Sequence, residues 1–259
     1  MKTLVIIPTY NEACTLPGTL SRLRAAVPRA HVLIADDASP DGTGQIADQL
    51  AAQDSAVHVL HRRGKEGLGP AYIAGFRWGL AHDYDVLVEM DADASHRPEQ
   101  LPKLLDAIEA GADVAIGSRW VRGGRVHNWP WRRLLLSRGA NFYVRCALGL
   151  PVADATAGFR AMRADTLRSV LASKVASQGY CFQVDMTRRA LGCGARLVEC
   201  PIDFDERVEG ASKMTAAIVR EALLRVTVWG IEHRARQLAL GGTRFARGIS
   251  RWAHSGRRP

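Results

Sequence analysis

Short apolar runs alternate with amphipathic stretches along the first half of the chain. Thr3–Pro8 (TLVIIP), rich in β-branched residues and closed by proline, reads as a strand. His31–Ala35, Val57–His61, Asp85–Met90 and Val114–Gly117 are four more apolar runs too short for typical helices. Between them, helical patterns run over about Leu16–Ala26 and Gln45–Ala52, from Gly67-Leu68-Gly69-Pro70 to about Ala81, and from Pro98 to about Ala110. The second half is less regular. It predicts helices over Arg132–Leu148, Asp165–Ala172 and about Phe182–Leu191, strands over Ala157–Arg163 and Arg196–Asp203, a polar loop over Phe204–Lys213 and a long amphipathic helix over Thr215–Leu240. Gly241–Pro259 is a Gly/Arg-rich tail. Strands alternating with helices imply an α/β fold, a mostly parallel sheet with helices on both faces, plus C-terminal amphipathic helices. The chain is expected to form one domain over residues 1–240 followed by the basic tail.

In such sheets ligands bind beyond the carboxyl ends of the strands, and charge gathers there. Val86–His96 (VLVEMDADASH) delivers Asp91 and Asp93 at a strand end; Asp36 and Asp37 follow another, and Arg119 a third. In extended chain, residues i and i+2 point the same way, so a D-x-D can set two carboxylates beside one hard cation such as Mg²⁺ or Mn²⁺. A lone D-x-D is more often a turn or a helix cap; three charged strand ends are harder to explain that way. His96 reads as a structural residue beside the site, and Gly67 and Gly69 as helix-capping residues.

Composition narrows the class. The chain has 259 residues, 47% hydrophobic and 24% charged, which excludes wholesale disorder. Five scattered cysteines without a C-x-x-C fit reduced thiols in a cytoplasmic protein, not a disulfide framework or zinc site. No signal peptide and no transmembrane helix are expected. Charge is divided: residues 1–118 hold 10 Lys and Arg against 16 Asp and Glu, net −6, whereas residues 119–259 hold 25 against 10, net +15, for +9 overall. The basic half points to a polyanionic partner: nucleic acid, anionic lipid or a phosphorylated substrate.

Taken together, several motifs resemble family 2 nucleotide-sugar glycosyltransferases of GT-A fold and, more narrowly, polyprenol-phosphate (dolichol-phosphate-type) mannosyltransferases. They are Ile6–Glu12 (IIPTYNE), Asp36–Thr43 (DDASPDGT), Lys65 with Gly67-Leu68-Gly69, Met90–Asp93 with Ser95 and His96, Gly117-Ser118-Arg119, Asn128-Trp129-Pro130, Asp154 with Thr156–Arg160, and Arg207 with Gly210 and Ser212-Lys213-Met214. The resemblance spans about residues 3–235. It implies that Pro8, Tyr10, Glu12, Ala35 through its backbone, and Asp37 hold guanosine. It implies that Asp91, Ala92 and Asp93 face the nucleotide sugar and that Asp91, Asp93 and, as a weaker ligand, Ser95 bind a divalent cation. Arg119, Arg133 and Ser137 would contact the acceptor phosphate, and Arg133 and Ser137, at i and i+4, share a helix face. Arg207 and Lys213 would close over the diphosphate. Asp93, Arg119, Arg133 and Arg207 are thus the catalytic candidates. Residues 1–118 become a nucleotide-sugar half and 119–240 an acceptor and membrane-facing half.

The reaction so implied is transfer of mannose from GDP-mannose to polyprenyl phosphate, with inversion, by a peripheral protein at the cytoplasmic face of the inner membrane, with or without a separate membrane-anchoring protein. A phosphate monoester, with a second pKa near ~6, is mostly dianionic at neutral pH and needs little help from a base. A soluble hydroxyl acceptor would need one; Asp154 and Asp185 are the candidates to test. Two other readings are a lipid-phosphate glucosyltransferase using UDP-glucose and a non-catalytic nucleotide- or nucleic-acid-binding module. The strand-end carboxylates argue against a nucleic-acid partner, because they repel a polyanion.

Overall fold

Alternating apolar side chains along the first strand, β1 (Thr3–Thr9), send Leu4 and Ile6 to one face of a sheet and Val5 and Ile7 to the other. Both faces are covered. A computed structural model describes residues 1–173, 175, 180–206, 223–232 and 234–235. In chain order the elements are β1, α1 (Leu16–Ala26), β2 (His31–Asp36), α2 (Thr43–Gln53), β3 (Val57–His61), α3 (Leu68–Ala81), β4 (Val86–Glu89), a 3₁₀ turn (Pro98–Gln100) leading into α4 (Leu101–Glu109), β5 (Val114–Ser118), β6 (Arg125–Val126), α5 (Trp131–Leu148), β7 (Arg160–Arg163), α6 (Ala164–Leu171), α7 (Tyr180–Gly192), β8 (Leu197–Pro201) and β9 (Asp203–Phe204). Residues 223–232 are helical.

Seven strands form one sheet in the order β3-β2-β1-β4-β7-β5-β8. All neighbouring pairs are parallel except those made by β7, which runs antiparallel between β4 and β5. One face carries Leu16, Leu20 and Leu23 of α1, Ala47 of α2, and Leu101, Leu104 and Ile108 of α4. The other carries Tyr72 and Phe76 of α3, Val144 and Leu148 of α5, Leu167 and Val170 of α6, and Phe182, Val184 and Met186 of α7. Helix α3 lies close on its face because glycine meets the sheet: a Cβ on Gly75 would sit 2.5 Å from Ile6 Cγ2.

Three expectations are corrected. The segment expected as a strand over 157–163 begins only at Arg160, because residues 154–159 instead make a loop whose carbonyls Ala155 and Ala157 accept from the buried Arg160 guanidinium at 2.8 and 2.7 Å. The strand expected over 196–203 divides at Ile202. β8 ends on Pro201, which has no N–H to donate. The chain then crosses to a separate two-stranded ladder, β6 with β9. Finally, β1 continues past Pro8 to Thr9. Pro8 pairs with Ala35 of β2 and lies beyond the β1–β4 ladder, which stops at Ile6 opposite Glu89. The long helix expected over 215–240 falls mostly outside the described residues, as does the tail. All five cysteines are free, and no described helix is long and apolar enough to cross a membrane.

Candidate active site

The parallel strands β1, β2 and β4 end on one edge of the sheet, and their loops carry the charged residues. After β1, Tyr10 lies under the Lys65 ammonium, which sits 4.0 Å from the ring centroid. Glu12 receives the Thr15 hydroxyl at 3.0 Å, and its backbone N–H donates to Thr43 Oγ1 at 3.0 Å. After β2, the two aspartates divide their work. Asp36 is a turn residue: it accepts from Thr9 Oγ1 (2.9 Å) and from Ser39 N–H (3.0 Å) and Oγ (2.6 Å). Asp37 faces the site edge and is bound by Arg62, whose other arm reaches Glu66 at 2.6 Å. Burial pushes the Asp37 carboxyl up, and Arg62 pulls against that shift. Ala35 is buried near the end of β2, opposite Pro8 of β1.

At the end of β4 the D-x-D is held from several sides. Asp93 is buried and its Oδ1 accepts from Ser95 Oγ at 2.5 Å and Ser95 N–H at 3.1 Å. The Ser95 hydroxyl therefore orients Asp93. Asp91 Oδ1 accepts from the Tyr72 hydroxyl at 3.2 Å, and the Asp91 N–H donates to His96 Nδ1 at 3.1 Å. Accepting there makes His96 a neutral imidazole. Burial, against the pull of Asp91, holds its pKa below the ordinary value. It packs against Phe159 and Phe204 with ring centroids 5.2 Å apart in each case, a structural role. The Asp91 carboxylate is 28% exposed, so it opens to solvent where Asp93 is closed in. Among the described residues no group of three or more His, Cys, Asp or Glu gathers. Two carboxylates at a strand end match a hard cation that takes its remaining oxygens from substrate phosphate and water.

Arg119, just past β5, is buried against Asp154. Its Nε and Nη2 both reach the carboxylate at 2.7 Å, its backbone N–H does so at 3.1 Å, and Nη2 also donates to Thr156 Oγ1 at 3.0 Å. Burial penalises the Asp154 carboxylate, but the Arg119 charge and hydrogen bonds outweigh it and hold its pKa below the usual range. Asp154 is thus a counter-ion, not a base. Asp185, the other candidate base, pairs with Arg188 at 2.9 Å and Arg189 at 3.0 Å on α7. Arg133, on the first turn of α5, lies 4.0 Å over the Trp129 ring and donates to Glu206 at 2.9 Å. Arg119 lies 5.5 Å from that same ring. Trp129 thus brings together the two arginines expected to meet one phosphate. Of the two, Arg133 is the more open, at 22% side-chain exposure against 9%. The Ser137 carbonyl, one turn on, accepts from Asn141 at 3.0 Å. Arg207 and Lys213 lie outside the described residues.

Sequence reasoning missed Arg62, Tyr72 and Trp120. Arg62 sits in a run of basic residues (HRRGK) that gives no reason to choose it over Arg63. Tyr72 looks like one more apolar position of a buried helix face. Trp120 joins the aromatic wall around Arg119, with ring centroid 5.6 Å from the guanidinium.

Known proteins resemble this chain over most of its length. A polyprenol monophosphomannose synthase of Mycolicibacterium smegmatis is 57% identical over 234 residues, 90% of this chain and 88% of that protein. An undecaprenyl-phosphate mannosyltransferase of Micrococcus luteus is 59% identical over 234 residues, 90% of this chain and 96% of that protein. The structure of a mannosyltransferase from Pyrobaculum calidifontis in complex with GDP-Man and Mn²⁺ shares the fold, with TM-score 0.57 and 17% identity, covering 91% of this chain and 64% of that one. The fold is accordingly of GT-A type. Residues 4–171, from the first strand through the D-x-D and the Asp154 loop to the end of α6, match the family described as Glycosyl transferase family 2, and the chain belongs to that family.

Proposed function

We propose that this glycosyltransferase moves mannose from GDP-mannose to polyprenyl phosphate, with inversion, releasing GDP. The names of the two relatives at 57% and 59% identity support the reaction class. The observation that carries it is the state of Asp154: the buried carboxylate on the acceptor side is locked in a bidentate pair with Arg119. An acceptor reacting there receives no proton-accepting group from Asp154. A phosphate dianion needs none.

The nucleotide would lie along Pro8, Tyr10, Glu12, Ala35 and Asp37, with Asp37 neutralised in part by Arg62. Asp91 and Asp93, with Ala92 between them, would hold a divalent cation, Mg²⁺ or Mn²⁺; bound there, it supplies positive charge against the leaving diphosphate. Ser95 aims Asp93. On the acceptor side Arg133, stacked on Trp129, meets the phosphate, with Ser137 on the same helix face; Arg119, against the same ring, is the second cation. A phosphate oxygen attacks the anomeric carbon, the bond to the diphosphate oxygen breaks, and that oxygen keeps the electron pair. Arg207 and Lys213 are the remaining donors assigned to the diphosphate.

Helix α5 offers a route to a lipid acceptor. Trp131, Leu135 and Phe142 are exposed at 68%, 64% and 67% and share one stripe with Arg138 and Arg145. Apolar side chains flanked by arginines suit a helix lying in the interface of an anionic membrane, here the inner face of the cytoplasmic membrane.

One incubation series tests the proposal: GDP-mannose, UDP-glucose and UDP-galactose, each with polyprenyl phosphate and Mg²⁺ or Mn²⁺, scored for labelled lipid. Labelled lipid from GDP-mannose, lost in Asp91→Ala, is expected. Transfer from UDP-glucose alone would make the protein a glucosyltransferase, and metal-dependent transfer at full rate by Asp91→Ala would remove the cation from Asp91.

A further inference from the structure

We infer that Tyr72 is a positioning residue for the cation site: its hydroxyl fixes the Asp91 carboxylate in the orientation that receives the metal. The inference rests on the reading of Asp91 as a metal ligand. Tyr72 comes from α3, an element to which neither the D-x-D nor any other assigned site residue belongs. Its side chain is fully buried. The ring packs against Phe76 (centroids 6.1 Å apart, planes at 21°) and Phe182 of α7 (6.2 Å, 5°). Buried and packed in this way, it holds its hydroxyl 3.2 Å from Asp91 Oδ1.

The reach of Tyr72 is set by the sheet. Tyr72, Gly75, Phe76 and Gly79 lie on one face of α3, at i, i+3, i+4 and i+7. Cβ atoms on Gly75 and Gly79 would come within 2.5 Å of Ile6 and 2.6 Å of Leu87. The helix therefore rests directly on β1 and β4, the strand that leads into Asp91. Gly158 also lies close: a Cβ there would be 3.8 Å from Asp91 Oδ2 and 4.0 Å from Oδ1. Asp91 thus has a hydroxyl donor on Oδ1, while its backbone N–H is tied to His96. Donors to a ligating carboxylate fix its direction and tune its charge, and their loss typically weakens metal affinity about 10–100-fold.

The experiment is a Mn²⁺ titration of the full chain in the presence of GDP, followed by the EPR signal of free Mn²⁺, for wild type, Tyr72→Phe and Asp91→Ala, with a thermal melt of each without metal. Tyr72→Phe keeps the ring and its stacking. Its dissociation constant for Mn²⁺ is expected to rise about 10-fold, with the metal-free melting temperature close to wild type. In transfer assays the metal concentration for half-maximal rate should rise while the rate at saturating metal changes little. Mn²⁺ affinity within twofold of wild type in Tyr72→Phe, with binding lost in Asp91→Ala, overturns the role of Tyr72 alone. Wild-type binding that survives Asp91→Ala overturns the metal reading of Asp91, and the inference with it.

Discussion

Asp154→Asn isolates what the Arg119 pair contributes. The change keeps size and removes charge. In the native site the carboxylate accepts from Arg119 Nε and Nη2 at 2.7 Å, from the Arg119 N–H at 3.1 Å and from Thr156 Oγ1 at 3.2 Å. An asparagine offers one oxygen to these donors and turns an NH₂ against the rest. Arg119, only 8% exposed, then loses the charge of this carboxylate. Breaking a buried pair from one side costs about 3–5 kcal/mol. The Trp120, Trp129 and Phe204 rings, 5.6, 5.5 and 5.2 Å from the guanidinium carbon, recover part of it. A net loss of about 3 kcal/mol is expected, or roughly 6–12 °C in melting temperature for a chain this long. Urea unfolding at pH 7, followed by circular dichroism, measures it. The double variant Arg119→Met with Asp154→Leu should restore most of the loss, since an apolar replacement of both partners leaves no buried charge. A loss below about 1 kcal/mol in the single variant, or a double variant worse than the sum of its parts, would refute the reasoning. The pair also sets a pH limit. A carboxyl held below its ordinary value contributes stability that is present above pH about 4 and lost as the pH falls through its folded pKa.

Two further outcomes are expected. His58, whose pKa is lowered by burial and by the charges of His31, His82 and Lys2, should destabilise the fold as pH falls through about 6.5, where the unfolded chain takes up a proton that the folded chain resists; thermal melts at pH 7.5 and 5.5 should show a smaller difference in His58→Asn than in wild type. Trp131→Ser combined with Leu135→Ser should weaken sedimentation with anionic vesicles about 100-fold or more, given about 1.5–3 kcal/mol for full burial of each large apolar side chain, and high salt should weaken wild-type binding; binding indifferent to both would remove α5 from the membrane.

The parallel core was legible because its strands are short apolar runs bounded by turn-forming or charged residues, and β3 and α1 fall on the expected residues. The strand-end position of Asp37, Asp91 and Arg119 followed from that same alternation. What was not legible is partnership. Nothing in Arg119's neighbours along the chain announces Asp154, 35 residues on, and Asp37 gains Arg62 only when β3 pairs with β2. The direction of β7 was hidden because four residues of mixed polarity (RAMR) carry no signal of sense. The two-residue strands β6 and β9 are too short for any periodicity. Tyr72 was hidden in another way: its helical spacing is that of a core residue, and its ring is one, while only the last atom of the side chain touches the site.

The antiparallel strand has a consequence for how the molecule comes into being. β4 and β5 are not neighbours; β7, made some 70 residues after β4, fills the slot between them, with Glu89 opposite Arg160. As the chain leaves the ribosome, the strand bearing the D-x-D is complete on one side only, with an open edge toward the missing partner. Arg160 arrives as a guanidinium to be sealed beneath the site, with Ala155, Ala157, Gln183 and Thr187 supplying its acceptors. The last two come later still, on α7. The slot beside the D-x-D strand is therefore among the last parts of the sheet to be closed, and a chain released before α7 would carry Asp91 and Asp93 beside an Arg160 still lacking two of its acceptors.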